Sequence, residues 1–380
     1  MVKRQDPRRG KILVYVLTLI FALGYIFIGR NIAMVGYPDW GEAEGDTVKA
    51  KVLQVISDTY DGQQQNLQYE AKIQSGEYKD QVVIVLHTVH ENYYPKQLPA
   101  VKGDKILIFG INNDPANGWQ MLDYVRLNGI IWLAVLFTVA VVLFGRMKGL
   151  NSLISMAFTC LAIFMVFVPA VLSGQNVYIW TITTSVYIIL ITMLFINGTA
   201  KKSIAAGLGC FGGVVVAGAL TAIMDKVLRL TGMATEDTLY LQMLPIDHQI
   251  NLNALVFAAI VIGALGAIMD VAMDISSALN EIRINSPDIS GKRLIQSGFA
   301  IGRDTMGTMV NTLVLAYIGS SLLVTLLLVA YNVTSTALFN MEMIIIEFLQ
   351  ALVGSVGILL AIPLTSFICA ALYSKQTKID

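Results

Sequence analysis

Runs of about 18 or more nearly uncharged residues, each long enough to cross a hydrocarbon core about 30 Å thick, recur along this chain from Ile12 to Tyr373. Few water-soluble folds could hide so much apolar surface. The composition agrees: 56% of the 380 residues are apolar and 14% are charged, against about 45–50% and about 25% in globular domains. The sequence therefore predicts an integral membrane protein. Its 26 basic and 26 acidic residues cancel, so no basic surplus argues for nucleic acid, and any chemistry must come from individual charges. Cys160, Cys210 and Cys369 all fall inside apolar stretches. They read as small packing residues with no pair placed to staple a water-facing loop.

The first apolar run, Ile12–Gly29, follows Lys3, Arg4, Arg8, Arg9 and Lys11 and precedes Arg30 and Asn31. It exceeds the apolar core of about 7–15 residues in a cleaved secretory signal. Residues 1–36 are thus expected to form a cytoplasmic N-terminus and an uncleaved anchor. From 37 to 126 no membrane-length run occurs, and Gln and Asn are concentrated. Five short β-branched-rich stretches stand there, Thr47–Ile56, Leu67–Ile73, Gln81–Val89, Lys105–Gly110 and Trp119–Val125, separated by turn signals such as Tyr60-Asp61-Gly62 and Gly103-Asp104. They predict a small β-barrel-like domain, with an OB-like barrel the nearest named possibility.

Residues 127–380 are expected to supply seven more spans, near Gly129–Gly145, Leu153–Leu172, Val177–Ile196, Ile204–Met224, Leu252–Met273, Thr308–Tyr331 and Leu352–Tyr373. With eight crossings and the N-terminus inside, the internal segments hold Arg146 and Lys148, Lys201 and Lys202, Arg283, Lys292, Arg293 and Arg303, then Lys375 and Lys378. The short external loops hold only Lys226 and Arg229. This asymmetry follows the positive-inside rule. The expected class is therefore mainly α: a polytopic helix bundle of about eight transmembrane helices in the cell membrane, both termini cytoplasmic, with the β-domain extracytoplasmic between helices 1 and 2.

Two polar stripes interrupt the apolar pattern. On a helix turning about 100° per residue, Asp270, Asp274, Ser277 and Glu281 fall within about 60° of one another. Carboxylates one turn apart repel, which would raise the pKa of one of them and suit proton or ion exchange. Alternatively, the span ends near Met269 and both aspartates are solvated. Asp304, Thr308, Asn311 and Thr312 share a second face spanning about 100°, an oxygen-rich wall suited to hard cations, protons or a polar solute. Here the alternative makes Asp304 a helix N-cap, Gly302 and Gly307 close-packing positions, and Thr and Asn interhelical donors. Arg303 is either the counter-charge of Asp304 or a positive-inside anchor.

Glu347 is a secondary candidate. The 31-residue stretch Met343–Tyr373 is either one steeply tilted span or an interfacial helix followed by a span, so Glu347 is a snorkelling acid or a pathway residue. Gly207, Gly209, Gly212, Gly213 and Gly218 give the fifth span a close-packing surface. His87 and His90 point to opposite faces of a strand, and Asp247-His248 is either a metal-binding or proton-relaying pair or, more simply, a solvated loop pair, so no metal site or other cofactor is expected. No phosphate loop, His-Glu-x-x-His or Gly-x-Ser-x-Gly occurs, and with no nucleophile and base pair visible the chain is not expected to be an enzyme.

The run Gly263-Ala264-Leu265-Gly266-Ala267-Ile268-Met269-Asp270, the string from Gly302-Arg303-Asp304-Thr305-Met306-Gly307-Thr308-Met309-Val310-Asn311-Thr312 to Tyr317, and Ile362-Pro363-Leu364-Thr365 resemble the YibE/F-like membrane proteins. The likeness covers about Tyr124–Tyr373, and the anchor with its β-domain is similar to the longer, YibE-like members. The resemblance implies a multi-pass membrane protein with a paralogous YibE/F-like membrane partner. It carries over at Asp270, Arg303, Asp304, Thr308, Asn311 and Thr312 and names no substrate. The expected function is a permease or secondary transporter, cation- or proton-coupled, moving a small solute or ion across the lipid bilayer. The alternative is a non-enzymatic scaffold or assembly factor that engages an envelope partner through the β-domain.

Overall fold

The computed structural model describes residues 7–39, 47–60, 64–90, 98–111, 114–233, 236–246, 248–331 and 334–374. The chain divides into two compact units, Asp39–Leu143 and Met1–Pro38 with Phe144–Asp380.

The first unit is built on five strands, β1 (Val48–Tyr60), β2 (Gln64–Ile73), β3 (Val82–His90), β4 (Lys105–Gly110) and β5 (Trp119–Tyr124). They close into a barrel in the order β1-β2-β3-β5-β4, with β1 also pairing β4. Only the β3–β5 pair is parallel. Alternation explains why these segments are strands. In β2 the residues Leu67, Tyr69, Ala71 and Ile73 are buried while their neighbours are not, so one face fills the barrel. Register shifts between Val52 and Gln54 and between Val55 and Ser57 bend β1, letting one long strand serve two neighbours.

Ile106 and Ile108 complete the barrel centre around Tyr69. The Tyr69 hydroxyl accepts the Ala100 N–H at 3.0 Å and lies 3.1 Å from His87 Nδ1. Burial pushes the Tyr69 phenol up to about 12. His87 is thus a core residue. Past β5, the Arg126 guanidinium holds the Asp123 carboxyl below its usual range. The unit ends on residues 127–143, the start of helix α2 (Leu127–Ala162), whose side chains are nearly all exposed and apolar.

In the second unit, α1 (Pro7–Ala33) packs on α4 (Val177–Asn197): the Tyr25 and Tyr187 rings stack at 4.0 Å, and the Tyr187 hydroxyl donates to Ala22 O at 3.3 Å. The anchor is therefore part of the helical unit. Helix α2 continues through a π turn, Ile163–Phe167, into α3 (Val168–Leu172). The whole stretch Leu127–Leu172 is 46 residues long, interrupted at Arg146 by φ 49°, ψ −131°.

The remaining helices are α5 (Lys201–Leu228), α6 (Glu236–Gln242), α7 (Leu252–Asn285), α8 (Gly291–Ser320), α9 (Leu322–Ala330), α10 (Ser335–Leu338) and α11 (Glu342–Ser374). Asn251 and Ser290 cap α7 and α8 by accepting the N–H groups of Ala254 and Arg293. Among the described residues, six helices are long and apolar enough to cross a membrane, or seven when α8 and α9, bent by 56°, count as one.

Two sequence boundaries are revised. The helix carrying the span expected at Thr308–Tyr331 begins at Gly291 and breaks at Ser320–Leu322. Gly319, Ser320 and Ser321 supply the kink, the Ser321 hydroxyl bonding back to Tyr317 O at 3.0 Å. Helix α11 is a single helix with Pro363 inside it, which removes the option of a separate interfacial helix around Glu347.

Candidate functional site

Glycine lets four long helices approach closely enough to fix one another's height. A β-carbon at Gly213 of α5 would lie 2.8 Å from Ile268 Cγ2 of α7 and 2.9 Å from Gly357 O of α11. Gly209 faces Thr365, and Gly212 faces Leu364, so the glycine-rich surface of α5 is a packing seam. On α8, Gly298 meets Ser366 and Leu279, Gly302 meets Ile362, and Leu313 meets Gly354. Helices α7 and α8 run antiparallel, with Gly263 against Tyr317 and Leu279 against Gly298. That register sets Asp270 level with about Thr308, and Asp274 level with about Asp304. Ile362 and Gly354 bracket the midpoint of α11 (Glu342–Ser374), so the stretch from Arg303 to Thr312 stands level with the middle of α11.

Both polar stripes occupy the outer surface of this cluster. Asp270 and Asp274 are exposed, whereas Ile268, Met269, Val271, Ala272, Ile275 and Ser276 turn inward. Arg303, Asp304, Thr308, Asn311 and Thr312 are exposed, opposite the Gly298–Gly302–Leu313 edge that packs. Ser290 is the cap of α8, so Asp304 is not. Thr308 and Thr312 donate their hydroxyls to Thr305 O and Thr308 O, both at 2.8 Å. Among the described residues, the side chains of Asp270, Asp274, Arg303, Asp304 and Asn311 make no hydrogen bond or ion pair. Helix α7 runs on to Asn285, so both aspartates are helical rather than in a loop after the span.

The secondary candidate turns the other way. Glu347 lies two turns before Gly354, hence on the same face of α11, and Gly354 contacts Leu313 of α8 and Ala264 of α7. One carboxylate oxygen of Glu347 and the Tyr317 hydroxyl are both sealed from the surface without a hydrogen-bond partner. The pairings of Gly302 with Ile362 and of Leu313 with Gly354 bring Tyr317 level with about Leu349, close to Glu347, and its hydroxyl stands 2.7 Å from where a Gly263 β-carbon would be. An acid and a phenol thus each turn an oxygen into the seam between α7, α8 and α11. Sequence reasoning missed Tyr317, although its hydroxyl within an apolar run was a visible signal.

A second buried polar level was also missed. Ser276 donates to Lys202 O at 2.5 Å, Tyr373 donates to Asn280 Oδ1 at 3.0 Å, and the Thr365 hydroxyl is enclosed without a partner. A cleft of about 440 Å³ between α4 and α5 is walled by apolar residues such as Ile189, Met193 and Phe211. No group of three or more His, Cys, Asp or Glu among the described residues forms a metal site. Asp247 lies outside the described residues, and its neighbour His248 packs on Gly174.

Compared with known families, the chain matches the one described as YibE/F-like protein over residues 133–375. No curated protein and no solved structure matches it.

Proposed function

The chain belongs to the YibE/F-like family, and from that premise we propose that it is a permease coupling the movement of a small solute or ion to a proton or cation at Glu347. The observation that carries this reading is the pair of enclosed, unpartnered oxygens, Glu347 Oε2 and the Tyr317 hydroxyl. A carboxylate oxygen buried without a partner among apolar helices is costly unless it holds a proton or a cation. Tyr317 is the adjacent hydroxyl able to share either. Asp270 and Asp274, exposed on α7, then form an ion-attracting surface beside the same helices. The 46-residue stretch Leu127–Leu172 would be about 69 Å long as a straight helix, twice the hydrocarbon thickness. Read as two spans separated at Arg146, it brings the count to eight. In this reading the protein lies in the cell membrane with both termini cytoplasmic and the barrel outside.

An apolar carbodiimide, which reacts with protonated carboxyl groups, tests the reading on the full-length protein in membranes. Peptide mapping should find Glu347 modified, with labelling suppressed at high pH or by a coupling cation. An unmodified Glu347 at every pH counts against it.

The scaffold alternative, which would also accommodate a paralogous membrane partner, has its own support. Val82, Ile84 and Leu86 form an exposed apolar row on β3 of the barrel, a surface suited to an envelope partner.

A further inference from the structure

The outward face of α8 is wrongly built for lipid. Level with the middle of α11 it presents the opposite charges Arg303 and Asp304 side by side, then Thr308 and the unbonded amide of Asn311. Charges and amides level with the middle of an apolar helix face protein or water, because hydrocarbon offers them no partner. The apolar helical surfaces of the same chain cannot satisfy them: residues 127–143, for example, carry no charge and only Asn128 and Thr138 as polar side chains.

We propose that this face is a self-association surface, covered by the same face of a second copy of the chain. Charge selects that occupant. Arg303 beside Asp304 is a neutral pair complementary to the same pair on a second copy, so a two-fold axis along the membrane normal sets Arg303 of each copy against Asp304 of the other. Two copies inserted in the same orientation bring the face to the same depth without adjustment. Asn311 of one copy then meets Asn311 of the other, an amide pair that both donates and accepts. Shape agrees with charge. Gly307 has no atom within 4 Å of its β-carbon position and stands one turn before Asn311 on the same side of the helix, so the two backbones can approach closely. Asp270 and Asp274 flank the contact on α7 and are left at its rim.

Full-length protein with Cys160, Cys210 and Cys369 replaced by Ala, carrying a single new cysteine, is oxidised in native membranes. Thr308→Cys and Asn311→Cys should each give a homodimer band at least fivefold stronger than Val215→Cys or Ile223→Cys, which are exposed on α5. Two differently tagged copies should co-purify. Arg303→Asp alone and Asp304→Arg alone should each abolish this, and the double swap, which restores self-complementarity, should recover it. Unchanged thermal unfolding of the swapped variant separates lost contact from lost fold. Equal crosslinking at the control positions, a monomer in both detergent and nanodiscs, or single reversals that co-purify like wild type would overturn the proposal.

Discussion

Gly263 of α7 leaves room for the hydroxyl of Tyr317 of α8, which lies 2.7 Å from the point a β-carbon would occupy. Gly263→Ala should therefore displace the ring and lower stability by about 1–3 kcal/mol, the usual cost of overpacking. Tyr317→Phe removes the obstructing oxygen, so the double variant should lose less than the two single losses added together. Thermal unfolding of all four proteins in one detergent measures the coupling, and strict additivity would show that the contact carries no strain.

Glu342, in the first turn of α11, ties down the loop that follows α5. Its carboxylate accepts the Thr231 N–H at 2.7 Å, the Gly232 N–H at 2.6 Å and the Thr231 hydroxyl at 2.8 Å. Glu342→Ala should cost about 1.5–3 kcal/mol, the range for hydrogen bonds to a charged group. Hydrogen exchange should rise first at Thr231 and Gly232, whose amides lose their acceptor.

The barrel carries a pH signature. A free tyrosine ionises near 10, while Tyr69 does so at about 12 in the folded barrel. Below 10 the proton is held in both states and the contribution is fully present. Between 10 and 12 only the folded state keeps it, so stability falls as pH rises through that window. The difference in phenolate absorbance between wild type and Tyr69→Phe should titrate near 12, and a difference that titrates near 10 would contradict the buried assignment.

The strands were legible because burial on one side leaves a period of two: Leu67, Tyr69, Ala71 and Ile73 enter the barrel in turn. The ends of α7 and α8 were less so. Hydropathy drops after Met273 and before Thr308, yet Ile275, Leu279 and Leu294 continue the buried stripe, so these helices extend as amphipathic ones. Helical spacing placed Asp304, Thr308 and Asn311 on one face but cannot say which way a face turns. That direction is set by Gly298 and Gly302, whose missing side chains let α11 pack on the opposite edge. Glu347 was visible as an odd charge. Its enclosure beside Tyr317 depends on three helices meeting, which local pattern does not encode.

Single cysteines report the orientation. Gln64→Cys in β2 should react with an impermeant maleimide added outside intact cells, and Lys148→Cys and Lys292→Cys should not until the membrane is opened. Opposite sidedness would place the barrel in the cytoplasm and reverse the reading of the basic loops.

The coupling role of Glu347 is tested most directly by proton movement in proteoliposomes containing the full-length protein and an internal pH dye. Supplied with a panel of cations and small solutes, wild type should show a pH change driven by at least one of them, and Glu347→Gln, equally folded, should abolish it. A solute-driven pH change of the same rate in Glu347→Gln, or no such change in wild type across the panel, would contradict the account.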